Sequence, residues 1–320
     1  MQHLTLERHQ VWIYLAAIAL GLWVGMSAPG AAPFLDALLW PVLALLLFAT
    51  FVQVPLWHLP AALADHRFMS ATLIGNFVLV PLLVAALLPW LPDDPALRLG
   101  VLLVLLVPCT DWFITFTKLG GGDTLRAISV TPINLLAQLL LLPLYLWLFL
   151  GAELSLGLNP VELLPALFGL ILLPLALAAL LQRWINGHSS RVAVQRRLAW
   201  WPVPLLALVV AMIAASQVSA VLGALPALIQ VLWLYLAFLL GAALLAKALA
   251  RLFRLSTASG RTLAFSLGTR NSFVVLPLAI ALPTGWETAV VVIVFQSLVE
   301  LFGMVFYLWW IPWRLFAGRD

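Results

Sequence analysis

Apolar stretches long enough to cross a lipid bilayer recur along the whole chain, with only short polar gaps between them. A hydrocarbon core of about 30 Å is crossed by roughly 20 helical residues. Ten spans are predicted: Val11–Ser27, Ala37–Val54, Phe68–Leu88, Leu97–Thr117, Ala127–Leu150, Leu163–Trp184, Trp200–Ser219, Ala227–Leu249, Thr262–Leu282 and Ala289–Trp313. Hydrophobic residues make up 65% of the chain and charged residues 9%, which excludes a soluble globular domain. The sequence predicts an all-α integral membrane protein.

The basic residues support this count independently of hydropathy. With ten spans, 14 of the 16 Lys and Arg residues fall on one side, Arg98 falls on the other, and Arg270 lies within a span. Basic loops stay in the cytoplasm, so both termini are expected there, in a bacterial inner membrane. This topology accounts for the net charge of +4 without nucleic acid as a partner. Residues 1–10 lack the basic excess of a signal peptide, so the first span is expected to be retained.

Five spans followed by five place the second half of the chain upside down relative to the first. The predicted repeats are residues 1–155 and 156–320, and inverted repeats of this kind are typical of secondary transporters. Proline, glycine and polar residues interrupt the fourth span at 108–111 and the ninth at 268–272. The sequence therefore predicts two inverted five-helix repeats in which helices 4 and 9 are discontinuous and cross each other.

The fifth and tenth spans also correspond. Asn134 and Gln138 lie in one, Gln296 and Glu300 in the other, and each pair is four residues apart, hence on one helix face. Polar faces this deep are expected to turn away from lipid, so Gln138, Gln296 and Glu300 are candidates for proton or ion coupling, and Asn134 for substrate binding.

Three full charges, Asp111, Arg270 and Glu300, fall within predicted spans and away from their ends. Each would cost about 2.5–3.5 kcal/mol at a lipid-facing helix centre, so each is expected to face protein or water. One hypothesis is that Arg270 pairs with Asp111, with Glu300, or with both. Asp111 and Glu300 are then candidate proton carriers; the alternative is a purely structural ion pair.

Cys109 is the only cysteine, which excludes an internal disulfide. At the fourth-span interruption Pro108 removes a backbone donor, and half-helix ends expose unpaired polar groups. Cys109 and Thr110 there, with Asn271 and Ser272 at the ninth-span interruption, are therefore candidate substrate ligands. A thiol there suits a thiophilic metalloid, and the alternative is a small packing residue. No cofactor and no bound transition metal are predicted, because the histidines lack a metal-ligand spacing.

These motifs resemble the bile-acid sodium symporter superfamily, and within it the bacterial arsenite permeases. The resemblance lies in Pro108-Cys109-Thr110, in the loop Leu119-Gly120-Gly121-Gly122-Asp123, in Asn134, in Asn271 and in Leu298-Val299-Glu300. It implies a core of helices 3–5 and 8–10, a panel of helices 1, 2, 6 and 7, and transport by alternating access. For the arsenite branch it implies export of arsenite or antimonite, driven by inward proton movement, with Cys109 engaging the metalloid.

Two departures from the family pattern matter. The ninth-helix glutamate of arsenite permeases is replaced by Phe273 or Val274. Where sodium-coupled members place a glutamate and a glutamine, this chain has Ser266 and Arg270, which argues against sodium coupling. A fixed Arg270 keeps open an alternative function, the transport of a small organic anion.

Other classes of protein fit the sequence less well. An intramembrane aspartyl protease needs two carboxylates that share a proton, and the only other acid within a span besides Asp111 is Glu300. A passive channel is disfavoured because the paired interruptions favour gated transport. The predicted partners are therefore a small oxyacid or organic anion, protons and membrane lipids.

Overall fold

The computed structural model describes residues 3–54, 65–110, 112–155, 167–186 and 191–318. The predicted site residue Asp111 lies outside the described residues. The helices, in chain order, are α1 His3–Ser27, α2 Ala32–Phe51, α3 His66–Ile74, α4 Val80–Leu87, α5 Pro95–Leu105, α6 Trp112–Leu119, α7 Thr124–Ser155, α8 Leu173–Asn186, α9 Val192–Leu198, α10 Pro202–Ser216, α11 Val218–Leu252, α12 Thr257–Gly268, α13 Ser272–Ile280 and α14 Glu287–Trp310. Wider π-helical turns cover Gly75–Leu79, Leu167–Leu172 and Ile311–Leu315.

Seven helical stretches in the described part of the chain are long and apolar enough to cross a membrane. They are Pro29–Phe51, His66–Trp90, Thr124–Phe149, Phe168–Asn186, Val192–Ser216, Val218–Leu252 and Glu287–Leu315. The chain is thus a multi-pass helical membrane protein, as predicted, while the count of ten spans stays a prediction.

The predicted first, fourth and ninth spans are absent from these seven. The apolar part of α1, Trp12–Ser27, falls short of full length. The fourth and ninth spans are each divided between two helices, α5 and α6 or α12 and α13, and none of these four exceeds 12 residues.

Two compact units divide the chain. The first contains Met1–Gln53, Leu158–Leu225 and Leu276–Val291, and the second contains Val54–Gly157, Pro226–Val275 and Val292–Asp320. Within the first unit, α10 packs against α1 and α2, and α2 packs against α8. The candidate site residues belong to the second unit.

Small residues let α1 and α10 approach closely. A methyl group at Gly21 would lie 2.2 Å from the carbonyl oxygen of Ala211, and one at Gly25 would lie 2.2 Å from that of Ala215. Gly21 and Gly25 are four residues apart, as are Ala211 and Ala215, so both helices present small residues on one face. Such small-xxx-small faces drive helix association in membranes, where the hydrophobic effect does not.

Several helices of the second unit begin with side-chain caps. Asp65 accepts from the N–H of Phe68 at 3.1 Å at the start of α3. Asp94 accepts from the N–H groups of Ala96 and Leu97 at 2.9 and 3.1 Å at the start of α5. These acceptors satisfy donors that the first helical turn leaves unpaired.

We expect Gly21→Ala to destabilise the protein by about 1–3 kcal/mol, because the added methyl group overlaps the backbone of α10. The control is Gly223→Ala in α11, where the methyl group meets no atom within 4 Å. Thermal unfolding of the purified protein in detergent measures both variants. Equal stability of the two variants would contradict the close packing of α1 on α10.

Candidate functional site

Two non-helical segments pair with each other inside the second unit. The first is residues 106–110, which follow α5, and the second is residues 269–271, which join α12 to α13. We call them the paired segments. The N–H of Cys109 donates to the carbonyl of Thr269 at 3.1 Å, and the N–H of Asn271 donates to that of Val107 at 2.8 Å. Each segment therefore satisfies backbone groups that the other has lost by leaving the helix.

Pro108 and Arg270 lie opposite each other in this antiparallel pairing. They occupy a position at which the two strands exchange no hydrogen bond, since the bonds are made by the residues on either side. The missing N–H of Pro108 consequently breaks no pairing bond. The N–H of Arg270 is left to donate elsewhere, and it donates to Oε2 of Glu300 at 2.8 Å.

The Arg270 guanidinium contacts neutral oxygens. It donates to the carbonyls of Leu105 at 3.2 Å, Ser266 at 3.0 Å and Leu267 at 2.8 Å, and to Oδ1 of Asn76 at 2.8 Å. The side chain is 2% exposed, and it lies 5.5 Å from the ring centroid of Phe238. The ion pairs found in the described part of the chain do not include Arg270. The alternative in which Arg270 pairs with the Glu300 side chain is therefore wrong, because these residues meet through the main chain of Arg270. The alternative pair with Asp111 lies outside the described residues and stays a prediction.

A short series of hydrogen bonds runs from α13 to α14 and ends at Glu300. The Oγ of Ser272 donates to Oε1 of Gln296 at 2.8 Å, and Nε2 of Gln296 donates to Oε2 of Glu300 at 2.7 Å. Glu300 is 1% exposed, and its other oxygen, Oε1, has no hydrogen-bond partner. Three predicted site residues, Ser272, Gln296 and Glu300, are thus linked to the paired segments.

Two other predicted site residues meet across the paired segments. Nδ2 of Asn271 donates to Oγ1 of Thr110 at 3.0 Å, while its Oδ1 accepts from the N–H of Val274 at 3.3 Å in the first turn of α13. Cys109 lies between Pro108 and Thr110 and is 4% exposed. The paired segments therefore bring together four predicted site residues: Cys109, Thr110, Arg270 and Asn271.

Asn134 and Gln138 behave differently from their counterparts on α14. They are 0% and 1% exposed on α7, which packs against α5, α6 and α12. All four of their side-chain nitrogen and oxygen atoms lack a hydrogen-bond partner. Buried amides are normally satisfied, so this pair marks a place where a polar ligand or water is expected.

Asn76 is a further candidate site residue, which the sequence pattern does not mark. It lies in the π-helical turn Gly75–Leu79, it is fully buried, and its Nδ2 donates to Oγ of Ser266 at 3.1 Å while its Oδ1 accepts from Arg270. Single π-helical turns occur often at functional sites. The available signal was an amide in the middle of an otherwise apolar span.

The Gly-rich loop between α6 and α7 packs against α12. Gly121 has a φ of 67°, which glycine adopts without strain. A methyl group at Gly120 would lie 2.3 Å from the ring of Phe265 on α12. The N–H of Asp123 donates to Oγ1 of Thr262 at 2.7 Å.

Arg126 connects this loop to the start of α3. Its Nε donates to Oδ2 of Asp65 at 2.6 Å, and its Nη1 donates to Oδ2 of Asp123 at 2.6 Å. Burial by itself raises the pKa of Asp65, but hydrogen bonds from the N–H of Phe68 and from Arg126 outweigh it and hold this pKa below its ordinary value. These two ion pairs hold the starts of α3 and α7 together.

A model of the Sodium Bile acid symporter family matches residues 40–224, which is more than half of the chain. The chain belongs to the sodium bile acid symporter family. The family is one of membrane transporters, so the prediction of a transporter and not an enzyme is confirmed.

Two curated relatives match part of this family member. The arsenical-resistance protein Acr3 of Corynebacterium glutamicum is 29% identical over 150 residues, 44% of the chain and 40% of the relative. An uncharacterized protein of Pseudomonas aeruginosa is 31% identical over 134 residues, 41% of the chain and 40% of the relative. The chain thus matches about two fifths of the length of each relative. The match to Acr3 supports the predicted arsenite permease branch.

The lowered pKa of Asp65 predicts a pH-dependent stability for this symporter family member. A folded-state pKa below the ordinary value of about 3.9 means that the charged contact stabilises above about pH 4 and is lost as the pH falls through the folded-state pKa. We expect Asp65→Asn, which keeps an acceptor for the cap, to lower the melting temperature at neutral pH. This difference from the unmodified protein should shrink below about pH 4.

The matched control is Asp93→Asn. Asp93 lies 2.9 Å from Arg98, but its side chain is 92% exposed, so little change in melting temperature is expected. A difference for Asp65→Asn that stays constant from neutral to acidic pH would contradict the role of its charge.

Proposed function

We propose that this chain is a secondary transporter that exports arsenite or antimonite from the cytoplasm and couples export to inward proton movement. The observation that carries the proposal is the position of Cys109, a buried thiol in the paired segments where two helices are interrupted. Half-helix ends at such interruptions are where secondary transporters bind their cargo. The similarity to an arsenical-resistance protein of Corynebacterium glutamicum supports the same cargo.

The chemistry of arsenite suits a single thiol. Arsenite at neutral pH is the uncharged acid As(OH)3, and a thiol replaces one hydroxyl group: an As–S bond forms, one As–O bond breaks, and the thiol proton leaves with that hydroxyl group as water. No oxidant or reductant is required. A single As–S bond is readily reversed by water, which a transporter needs in order to release its cargo.

Neutral polar groups in the second unit fit the rest of this cargo. Asn134 and Gln138 offer both donors and acceptors without partners, which match the hydroxyl groups of an uncharged oxyacid. Thr110 and Asn271 already bond each other across the paired segments, and Ser272 is bonded to Gln296. In the proposed site, Cys109 binds the metalloid, and Asn134 and Gln138 bind the hydroxyl groups. Thr110, Asn271 and Ser272 hold the paired segments in place.

Glu300 is the proposed proton carrier within the described chain. Its Oε2 accepts two hydrogen bonds, whereas its Oε1 has none, so a proton can reside on Oε1 without breaking an existing bond. Gln296 orients this carboxylate, because its Nε2 donates to Oε2 of Glu300. Gln138 lies at the position of α7 that corresponds to Glu300 on α14. Asp111 remains the second proposed carrier.

A small organic anion bound by Arg270 is the alternative cargo. The geometry gives it less support, because the guanidinium already donates to four protein oxygens. A carboxylate would have to displace carbonyls that are themselves buried and need a donor.

Alternating access is the proposed mechanism, on ten spans in two inverted repeats with both termini in the cytoplasm. In this arrangement α5 with α6, and α12 with α13, are the two discontinuous spans. The division into two units supports a panel that contains α1, α2, α8 and α10 and a core that contains the site. The packing of α10 on α1 and α2 supports movement of the panel as one body.

Replacement of Cys109 tests the cargo. We expect Cys109→Ser to lower arsenite accumulation in everted membrane vesicles by about tenfold or more, equivalent to about 1.4 kcal/mol of lost binding free energy. Cys109→Ala is the companion variant: if the thiol is a metalloid ligand, serine fails as completely as alanine despite its similar size to cysteine. Full activity of the serine variant, with both variants monodisperse, would show that Cys109 only packs.

Replacement of Glu300 tests the coupling. Glu300→Gln keeps an acceptor for the N–H of Arg270 but cannot release a proton, so accumulation driven by a pH gradient should fall to the level seen with the gradient collapsed. Exchange of internal for external arsenite should persist, because it needs no net proton movement. Glu287→Gln, at the start of the same helix, is the control. Retained pH-driven accumulation in the Glu300 variant would exclude Glu300 as the carrier and leave Asp111→Asn to be measured.

A further inference from the structure

The carbonyl ends of two interrupted helices converge on the Arg270 guanidinium. One of its acceptors, Leu105, is the last residue of α5, and two others, Ser266 and Leu267, belong to the last turn of α12. The last carbonyls of a helix have no partner within it, and they concentrate about half of a negative elementary charge. Two such ends directed at one point stabilise a positive charge there.

The fourth oxygen at this point is held in place by a second hydrogen bond. Because Nδ2 of Asn76 donates to Oγ of Ser266, its Oδ1 is left to face the guanidinium. Carbonyl and amide oxygens of this kind are the ligands that small hard cations take in proteins. Half-helix carboxyl ends coordinate such coupling cations in secondary transporters.

We propose that Arg270 is a tethered cation, filling a position that would otherwise bind a small inorganic cation and so making the transport cycle independent of one. The position is formed by the carbonyls of Leu105, Ser266 and Leu267 and by Asn76. The occupation of this position by Arg270 does not depend on the proposed function, whereas its effect on the transport cycle rests on it.

Several features separate this role from that of an ordinary ion pair. The carboxylate nearest in the described chain, Glu300, bonds the main chain of Arg270 and not its side chain. In the described part of the chain, the direct contacts of the guanidinium are therefore carbonyl and amide dipoles and the ring of Phe238. A side chain that only joined helices would not need a charge at this position, whereas a tethered cation does.

The experiment empties the position and asks whether a free ion refills it. Arg270→Ala removes the guanidinium, and Arg270→Lys keeps a positive charge with fewer donors. Melting temperatures of the purified proteins are measured in chloride salts of lithium, sodium, potassium and N-methyl-D-glucamine at equal ionic strength. The last cation is too large to enter.

The unmodified protein and Arg270→Lys should show no preference among the salts. Arg270→Ala should be destabilised in N-methyl-D-glucamine and recover by about 2–4 °C or more with one of the small cations, saturably, since binding to the folded state alone stabilises it. The control is Arg261→Ala, because Arg261 also donates to carbonyls, those of Gly121 and Phe316, but near the helix start. It should lose stability equally in every salt.

An equal loss for Arg270→Ala in all four salts overturns the proposal, as does a small-cation preference of the unmodified protein. Arg270→Gln, which keeps two donors without charge, is measured alongside. If both uncharged variants fail to fold in every salt, no free ion replaces the side chain and the proposal is likewise overturned.

Transport gives an independent readout. Arsenite accumulation by the unmodified protein should be the same with sodium, potassium or N-methyl-D-glucamine outside, and Arg270→Ala should require the cation that restores its stability. If the melting temperatures behave as expected and arsenite is not transported, the proposed cargo fails and the tethered cation stands. If arsenite is transported and the salts have no selective effect, the reverse holds.

Discussion

The arrangement of the second unit depends on one constraint: backbone groups released from a helix inside an apolar environment must find partners. The paired segments meet this constraint by bonding each other, through the N–H of Cys109 and the N–H of Asn271. Neither segment has an equivalent partner in its own helix. The interruption in α5 and α6 is therefore stable only together with the interruption in α12 and α13, and the site residues come together as a consequence.

The pairing also makes the two interruptions chemically unequal. At the position without a pairing bond, one segment has Pro108, which has no N–H, and the other has Arg270, whose N–H binds Glu300. On α14 the polar pair Gln296 and Glu300 is consequently tied to the paired segments. On α7, Asn134 and Gln138 keep their hydrogen-bonding capacity unused. An uncharged cargo would meet open donors and acceptors on the α7 side and a fixed, satisfied network on the α14 side.

Much of this site could be predicted from the sequence, because proline, cysteine and charged residues within apolar spans are rare and conspicuous. Cys109, Thr110, Asn271 and Glu300 were found in this way, and so was the burial of Arg270. The partners of Arg270 could not be found, because three of them are main-chain carbonyls, which every residue has and no side-chain pattern marks. The Glu300 side chain is not a contact of the guanidinium for this reason: helix ends can balance a buried charge as well as an acid can.

The π-helical turn at Gly75–Leu79 has a consequence for how this protein and its relatives can diverge. A residue in a regular helix is rotated by about 100° from the one before it, so the loss of one residue from the turn would rotate everything before it by that angle relative to α4. Asn76 would then leave Ser266 and Arg270. A one-residue deletion, with no change to any residue of the proposed cargo site, would be enough to take one of the four oxygens away from the position that Arg270 occupies.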